Sequence, residues 1–280
     1  MIKKSHIITQ QNTKSIVADV SFIPDDTKKP IVIFCHGYKG FKDWGCWNLL
    51  AEKIASSSLF VLKFNFSHNG GTIENPIDFP DLNAFGENNF SKELDDLDTV
   101  LSWITNPENS YASEVDTSNI ILIGHSRGGG IVTIKAAEDE RITQLITLAG
   151  VSDYKSRFPT GPELVYWKKE GVAYIENART QQQMPHYIQF YEDFVLNETR
   201  LTISRAAKTL KIPHLIIHGT SDDTVPFNEA ERLHDWSSLS ELFVIEDANH
   251  VFDGGHPWRS NELPEDLALA VGEIINFCSK

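Results

Sequence analysis

The chain has 280 residues, 41% of them apolar and 23% charged, a balance that supports a sizeable buried core and excludes a disordered or fibrous protein. Its formal charge of −14 sets up a field that repels phosphate backbones and anionic membrane surfaces, so neither nucleic acid nor a membrane is an expected partner. Length alone leaves one domain or two open.

The opening residues, MIKKSHIITQ, carry basic side chains but neither the apolar core nor the small-residue cleavage site of a signal peptide. No stretch reaches the ~18 consecutive apolar residues that a membrane span needs. Cys35, Cys46 and Cys278 are odd in number, widely spaced and without a CxxC pair, which reads as reduced thiols. The expected location is therefore the cytoplasm. Lys4 to Phe22 alternates loosely and suits antiparallel edge strands. Short apolar runs then follow at Ile31–Cys35, Leu59–Phe64, Ile120–Ile123, Gln144–Leu148, Leu215–Ile217 and Leu242–Ile245. Such nearly unbroken β-rich runs suit strands covered on both faces.

Helical patterns lie between these runs, at Trp47–Ser57, Phe90–Thr105, Gly130–Glu138, Asn228–Trp236 and Pro264–Phe277. In the second, Leu94, Leu97, Val100, Leu101 and Ile104 form one apolar stripe, and Asp95, Asp96 and Asp98 are expected to face water. Strand and helix in alternation predict an α/β fold with a doubly wound, mostly parallel sheet. One segment breaks the rhythm. Between Ala149 and Pro213 lie roughly forty residues more than a crossover helix requires, rich in aromatics. Residues 152–208 read as a helical cap inserted in a single domain spanning 1–280; the alternative is an elaborated crossover that touches no ligand.

The chemistry centres on IILIGHSRGGG at Ile120 to Gly130. A buried strand runs straight into Gly124-His125-Ser126-Arg127-Gly128 and a helix follows, the context that makes G-x-S-x-G a nucleophile elbow. Ser126 would stand at a helix N-terminus, where the dipole favours developing negative charge. A serine at its free pKa is a poor nucleophile, so a base and an orienting acid are expected downstream. PHLIIHGTSDDTVP carries Asp222 and Asp223 on the loop after one strand, and ELFVIEDANHVF carries His250 after another. The ends of such strands are where an open α/β sheet collects its site. Ser126, Asp222 and His250 are thus the expected catalytic residues, with Asp223 as the alternative acid.

Three motifs, His36-Gly37-Tyr38-Lys39-Gly40, GHSRGG and HGTSDDTVP followed by ANHVF, resemble the α/β-hydrolase superfamily. The resemblance is nearest to bacterial dienelactone-hydrolase-like and cinnamoyl or feruloyl esterase-like serine hydrolases, and it extends from about Ile31 to the C-terminal helix. It implies that the acid falls on Asp222, and that an oxyanion hole is made by the backbone N–H groups of Tyr38 and Arg127. The Tyr38 and Arg127 side chains could also line an acyl pocket or meet a carboxylate.

The expected activity is cofactor-free hydrolysis of a small to medium carboxylic ester through an acyl-enzyme. Two rivals stand beside it. One is a peptidase or amidase of the same fold, aminopeptidase-like, although the want of a propeller-sized extra domain counts against a prolyl-oligopeptidase type. The other is a non-catalytic binding protein on a hydrolase scaffold. Tyr154, Trp167, Tyr187 and Tyr191 are candidates for substrate binding, against the alternative that they form the core of the cap. Asn65 to Gly71 could reach the site, and His256-Pro257-Trp258 could fix the His250 loop. The ten histidines include no HExxH, and there is neither GxGxxG nor a P-loop, so no metal and no nucleotide cofactor is expected. The expected partner is a small-molecule ester; the oligomeric state, a homodimer included, stays open.

Overall fold

A computed structural model describes residues 1–11 and 13–280. The elements in chain order are β1 (Ile2–Ile8), β2 (Ile16–Phe22), β3 (Lys29–Cys35), α1 (Trp47–Ala55), β4 (Phe60–Phe64), α2 (Leu82–Glu87), α3 (Phe90–Thr105), β5 (Val115–His125), α4 (Arg127–Glu138) and β6 (Ile142–Leu148). They continue with α5 (Gly161–Glu170), β7 (Val172–Asn177), β8 (Gln182–Tyr187), α6 (Gln189–Leu196), α7 (Glu198–Leu201), α8 (Ile203–Thr209), β9 (His214–Gly219), α9 (Asn228–Trp236), β10 (Ser240–Ile245) and α10 (Glu265–Cys278).

Eight strands form one sheet in the order β1-β2-β4-β3-β5-β6-β9-β10. As the N-terminal alternation predicts, β1 and β2 pair antiparallel, and β2 is antiparallel to β4. The pairs from β4 through β3, β5, β6 and β9 to β10 are all parallel. Alternation along β3 sorts its side chains between two cores. Ile31, Ile33 and Cys35 face the core that includes Leu94 and Leu97 of α3 and Ile131 of α4, while Val32 and Phe34 face the core of α1 and α10. Covering both faces is what permits unbroken apolar strands in the middle of the sheet.

Helix α3 shows the local logic. Asn89 caps it by accepting from the Lys92 amide, and its stripe of Leu94, Leu97, Val100, Leu101 and Ile104 is fully buried. The water-facing assignment of Asp96 is overturned: its carboxylate lies inside, accepting from the Ser67 amide at 2.7 Å and the Gln10 amide at 2.9 Å. The stripe is wide enough to take Asp96 below the surface, where the β4–α2 loop supplies a partner that the helical period cannot reveal.

Two further differences concern covering rather than position. Strand β10 ends the sheet, so one of its faces stays open and only Ile245 is buried. The segment between β6 and β9 is not helical throughout, because β7 and β8 form an antiparallel two-stranded sheet. Met184 on β8 is fully buried against Phe41, Phe79 and Phe85, which fixes that hairpin to the body of the protein. Short helix α2, six residues and too brief to show a helical period, is capped by Asp81 accepting from Ala84.

Burial pushes Asp96 up from 3.8 to about 7, against the opposing hydrogen bonds from Gln10 and Ser67. A carboxyl with a raised folded-state value binds its proton more tightly in the folded chain. Its contribution therefore favours folding at low pH and is lost as the pH rises from 3.8 to about 7. Asp96→Asn is expected to raise stability at pH 8 by on the order of 2 kcal/mol and to change it far less at pH 4. Urea midpoints at the two pH values check this.

Candidate active site

Strand β5 meets α4 with only Ser126 between them, and Ser126 takes φ 55° and ψ −121°. A side chain here is strained by ~1–3 kcal/mol. Three backbone bonds hold the turn: Ser126 N–H donates to Leu148, and the Gly129 and Val151 amides donate to the Ser126 carbonyl. The flanking glycines are required by contact. A Cβ on Gly124 would lie 2.3 Å from the Gly128 carbonyl oxygen, and one on Gly128 would lie 2.5 Å from that of Cys35.

The loops after β9 and β10 bring Asp222 and His250 together. His250 Nδ1 donates to Asp222 Oδ2 at 2.8 Å, and Oδ1 accepts from the Thr224 and Val225 amides. Asp223 points to solvent. His218 Nε2 donates to the Val225 carbonyl at 2.8 Å and lies 3.3 Å from Asp222 Oδ2. Burial opposes the charge on Asp222, but the hydrogen bonds from His218, His250 and Val225 hold it well below the ordinary carboxylate range. It is an anion at any working pH. His125 Nε2 donates to the His250 carbonyl, and burial followed by the nearby His250 pushes His125 down to about 3.

The loop after β3 completes the centre. Gly37 approaches so closely that a Cβ there would lie 2.9 Å from that of Ser126. Gly40 N–H bonds back to Gly37, leaving Tyr38 and Lys39 at the tip of a tight turn. Among the described residues the Tyr38 and Arg127 amides have no backbone carbonyl partner. His36 pins the loop, donating through Nδ1 to Gly37 and accepting from Phe66 N–H. Burial pushes His36 down to about 4, so it is neutral. The Asn65–Gly71 segment buttresses this loop from behind: Asn65 accepts from Lys42 N–H and Asn69 donates to Gly40. His256 accepts from Gly45 N–H, tying the segment after His250 to the start of α1.

Two cavities meet at Ser126. The smaller, about 160 Å³, is lined by Ser126, His250, Lys39, Trp44 and Trp47 among others. The larger, about 830 Å³, is walled by Phe90, Tyr154, Phe158, Trp167, Tyr174 and Phe190 with Ser126 and Arg127 at its base. Tyr154 stacks on Phe90 and donates to the Arg127 carbonyl, and Trp167 donates to the His186 carbonyl. Tyr187 and Tyr191 do not line either cavity. Tyr187 bonds Asn83 and packs on Gly86, because strand β8 turns alternate side chains to opposite faces; Tyr191 packs on the outer side of Phe158 and Trp167. The Arg127 side chain is held by Glu93, its Nε donating at 3.1 Å, and lies over the Phe90 and Phe190 rings. It is thus not free to meet a carboxylate. Among the described residues no group of three or more His, Cys, Asp or Glu side chains is arranged to hold a metal.

Residues 83–256, with Ser126, Asp222 and His250 inside them, match the prolyl oligopeptidase family. The chain belongs to that family. Among solved structures, Est1E from Butyrivibrio proteoclasticus aligns over 98% of both chains with TM-score 0.70 and 16% identity. The esterase domain of a Rhodothermus marinus protein aligns over 99% of this chain and 98% of its own with TM-score 0.65 and 17% identity. A dienelactone hydrolase from Anabaena variabilis aligns over 98% and 95% with TM-score 0.63 and 14% identity. These likenesses establish an α/β-hydrolase fold. Two non-reducing polyketide synthases of Penicillium brasilianum are 38% identical over 71 residues, 24% of this chain, which spans 3% of their length.

Three further residues support the centre. His218, on β9, brings Nε2 to 3.3 Å from Asp222 Oδ2. Glu93, at helical spacing from the α3 stripe, gave no sign that it holds Arg127. His186 reaches from β8 to the Tyr38 hydroxyl at 2.6 Å. Only the HG–D spacing around His218 offered a local signal.

Gly124→Ala is expected to destabilise by ~3 kcal/mol or more, since the clash is with backbone. Gly272→Ala, on the exposed side of α10 with open space around it, is expected to stabilise by ~1 kcal/mol. Denaturant midpoints of the two variants give opposite signs if the elbow is this tight.

Proposed function

We propose that the protein is a serine hydrolase that cleaves small to medium carboxylic esters through Ser126, His250 and Asp222. The observation that carries this is the meeting of Ser126, His250 and two unpartnered amides where a small cavity and a large aromatic one join. With Nδ1–H committed to Asp222, His250 has Nε2 as its basic nitrogen. It takes the proton from Ser126 Oγ as that oxygen attacks the ester carbonyl. The amides of Tyr38 and Arg127 receive the oxyanion, a role in which each donor is typically worth ~3 kcal/mol of barrier. His250 then protonates the leaving oxygen as the C–O bond breaks, and water repeats the cycle on the acyl-serine.

Residues 152–208 act as a cap within a single domain, and its aromatic walls suit an apolar acyl group. Est1E has a structure with ferulic acid bound, which supports including hydroxycinnamoyl esters in the substrate range. A peptidase or amidase is the second reading, favoured by the matched family and by Glu163, a carboxylate on the cavity wall that an ammonium group could meet.

Ser126→Ala is expected to lower kcat on p-nitrophenyl esters by ~10⁴ or more, and Asp222→Asn by a comparable factor, because the asparagine amide selects the wrong imidazole tautomer. Asp223→Asn should leave the rate within about twofold, being solvent-exposed. Full activity in Ser126→Ala overturns the assignment. Rates across acetyl to octanoyl and hydroxycinnamoyl esters, set against matching aminoacyl amides, should favour the esters; faster amide cleavage would favour the peptidase reading.

A further inference from the structure

The two cavities at Ser126 are not equivalent. His250 lines the smaller one and is absent from the wall of the larger. In acylation the proton that leaves Ser126 Oγ passes through His250 to the leaving oxygen, so the leaving group must lie beside His250. The acyl group is thereby assigned to the large apolar cavity and the alcohol to the small one. This step rests on the roles proposed above for Ser126 and His250.

Lys39 lines the alcohol side. It is half-buried, and among the described residues it makes no hydrogen bond or ion pair. Other buried lysines of the chain are treated differently: Lys29 pairs with Asp25, Lys42 and Lys63 with Asp19, and Lys135 with Asp98. Lys39 Nζ lies 5.3 Å from the centroid of the Tyr38 ring, and its charge is also felt at His186. The residue also occupies φ 52°, a position in the turn where glycine is the relaxed choice. Burial pushes the ammonium down from its ordinary value, which is the cost that an anionic partner would remove. Trp44 and Trp47 supply flat apolar surface on the same cavity.

We propose that Lys39 is a specificity residue for the leaving group, and that the alcohol or phenol released from the ester carries a carboxylate that pairs with its ammonium.

The test uses two esters of one acyl group, 3-carboxyphenyl butanoate and its neutral isostere 3-carbamoylphenyl butanoate, with kcat/KM measured on wild type, Lys39→Met and Lys39→Arg. Comparing the ratio of the two rates between wild type and variant cancels both their intrinsic difference in reactivity and any general loss in the variant. The carboxylate-to-carboxamide ratio should fall about tenfold in Lys39→Met, the scale of a charge-assisted hydrogen bond, and be largely kept in Lys39→Arg. An unchanged ratio in Lys39→Met, with both esters cleaved, overturns the leaving-group assignment and leaves the hydrolase reading intact. Hydrolysis of both esters by Ser126→Ala at the wild-type rate, or of neither by wild type, overturns the underlying reading and this inference with it.

Discussion

The close approach of three backbones at Gly37, Gly124 and Gly128 is the constraint on which the centre depends. Strand β5 and helix α4 touch where any Cβ would collide with a carbonyl, and the loop after β3 slides in until only hydrogen separates Gly37 from Ser126. That packing forces Ser126 into its left-handed conformation. It also leaves the Arg127 amide at the first turn of α4, where helix geometry supplies no acceptor, and puts the Tyr38 amide on the neighbouring loop. The Ser126 turn and the two amides proposed as oxyanion donors are therefore consequences of one contact. Loosening it at a single glycine would displace all of them together.

Charge is managed around this contact by pairing. Asp222 is buried yet ionised because two imidazoles and two backbone amides converge on it. Glu93 and Arg127 neutralise each other beneath the large cavity, and Lys42 and Lys63 share Asp19 and Asp43 at the antiparallel end of the sheet. Against that background Asp96, neutral when protonated at the depth it occupies, and Lys39, a cation without an acid, are the departures. One accepts from Ser67 of the β4–α2 loop, and the other lines the smaller cavity at Ser126.

The segment between β6 and β9 is joined to the centre by few but specific bonds. Trp167 holds the His186 carbonyl, His186 holds the Tyr38 hydroxyl, and Met184 is buried under Phe41, Phe79 and Phe85. Burial pushes His186 down to about 4 and Tyr38 up to about 12, so this link between β8 and the loop after β3 is a neutral one. A movement of β8 would be felt first at Tyr38, whose amide is one of the two oxyanion donors proposed here.

Local order in the chain was enough for the sheet class, the antiparallel start, the apolar stripe of α3 and the elbow. Each of these is set by side-chain periodicity or by glycine sterics over a few neighbouring residues. The same residues could not tell Asp222 from Asp223 without a family pattern, nor place Asp96 inside, nor sort Tyr154 and Trp167 from Tyr187 and Tyr191. Those outcomes depend on which face a loop or strand turns toward its partners in space: His218 and His250 for Asp222, 4 and 28 residues away along the chain, and Gln10 for Asp96 and Asn83 for Tyr187, 86 and 104 residues away. Composition announced a chain of 280 residues with a charge of −14 and a real core. Only the packed structure decided where individual charges lie unpaired, because pairing is a property of distance in space and not of position along the chain.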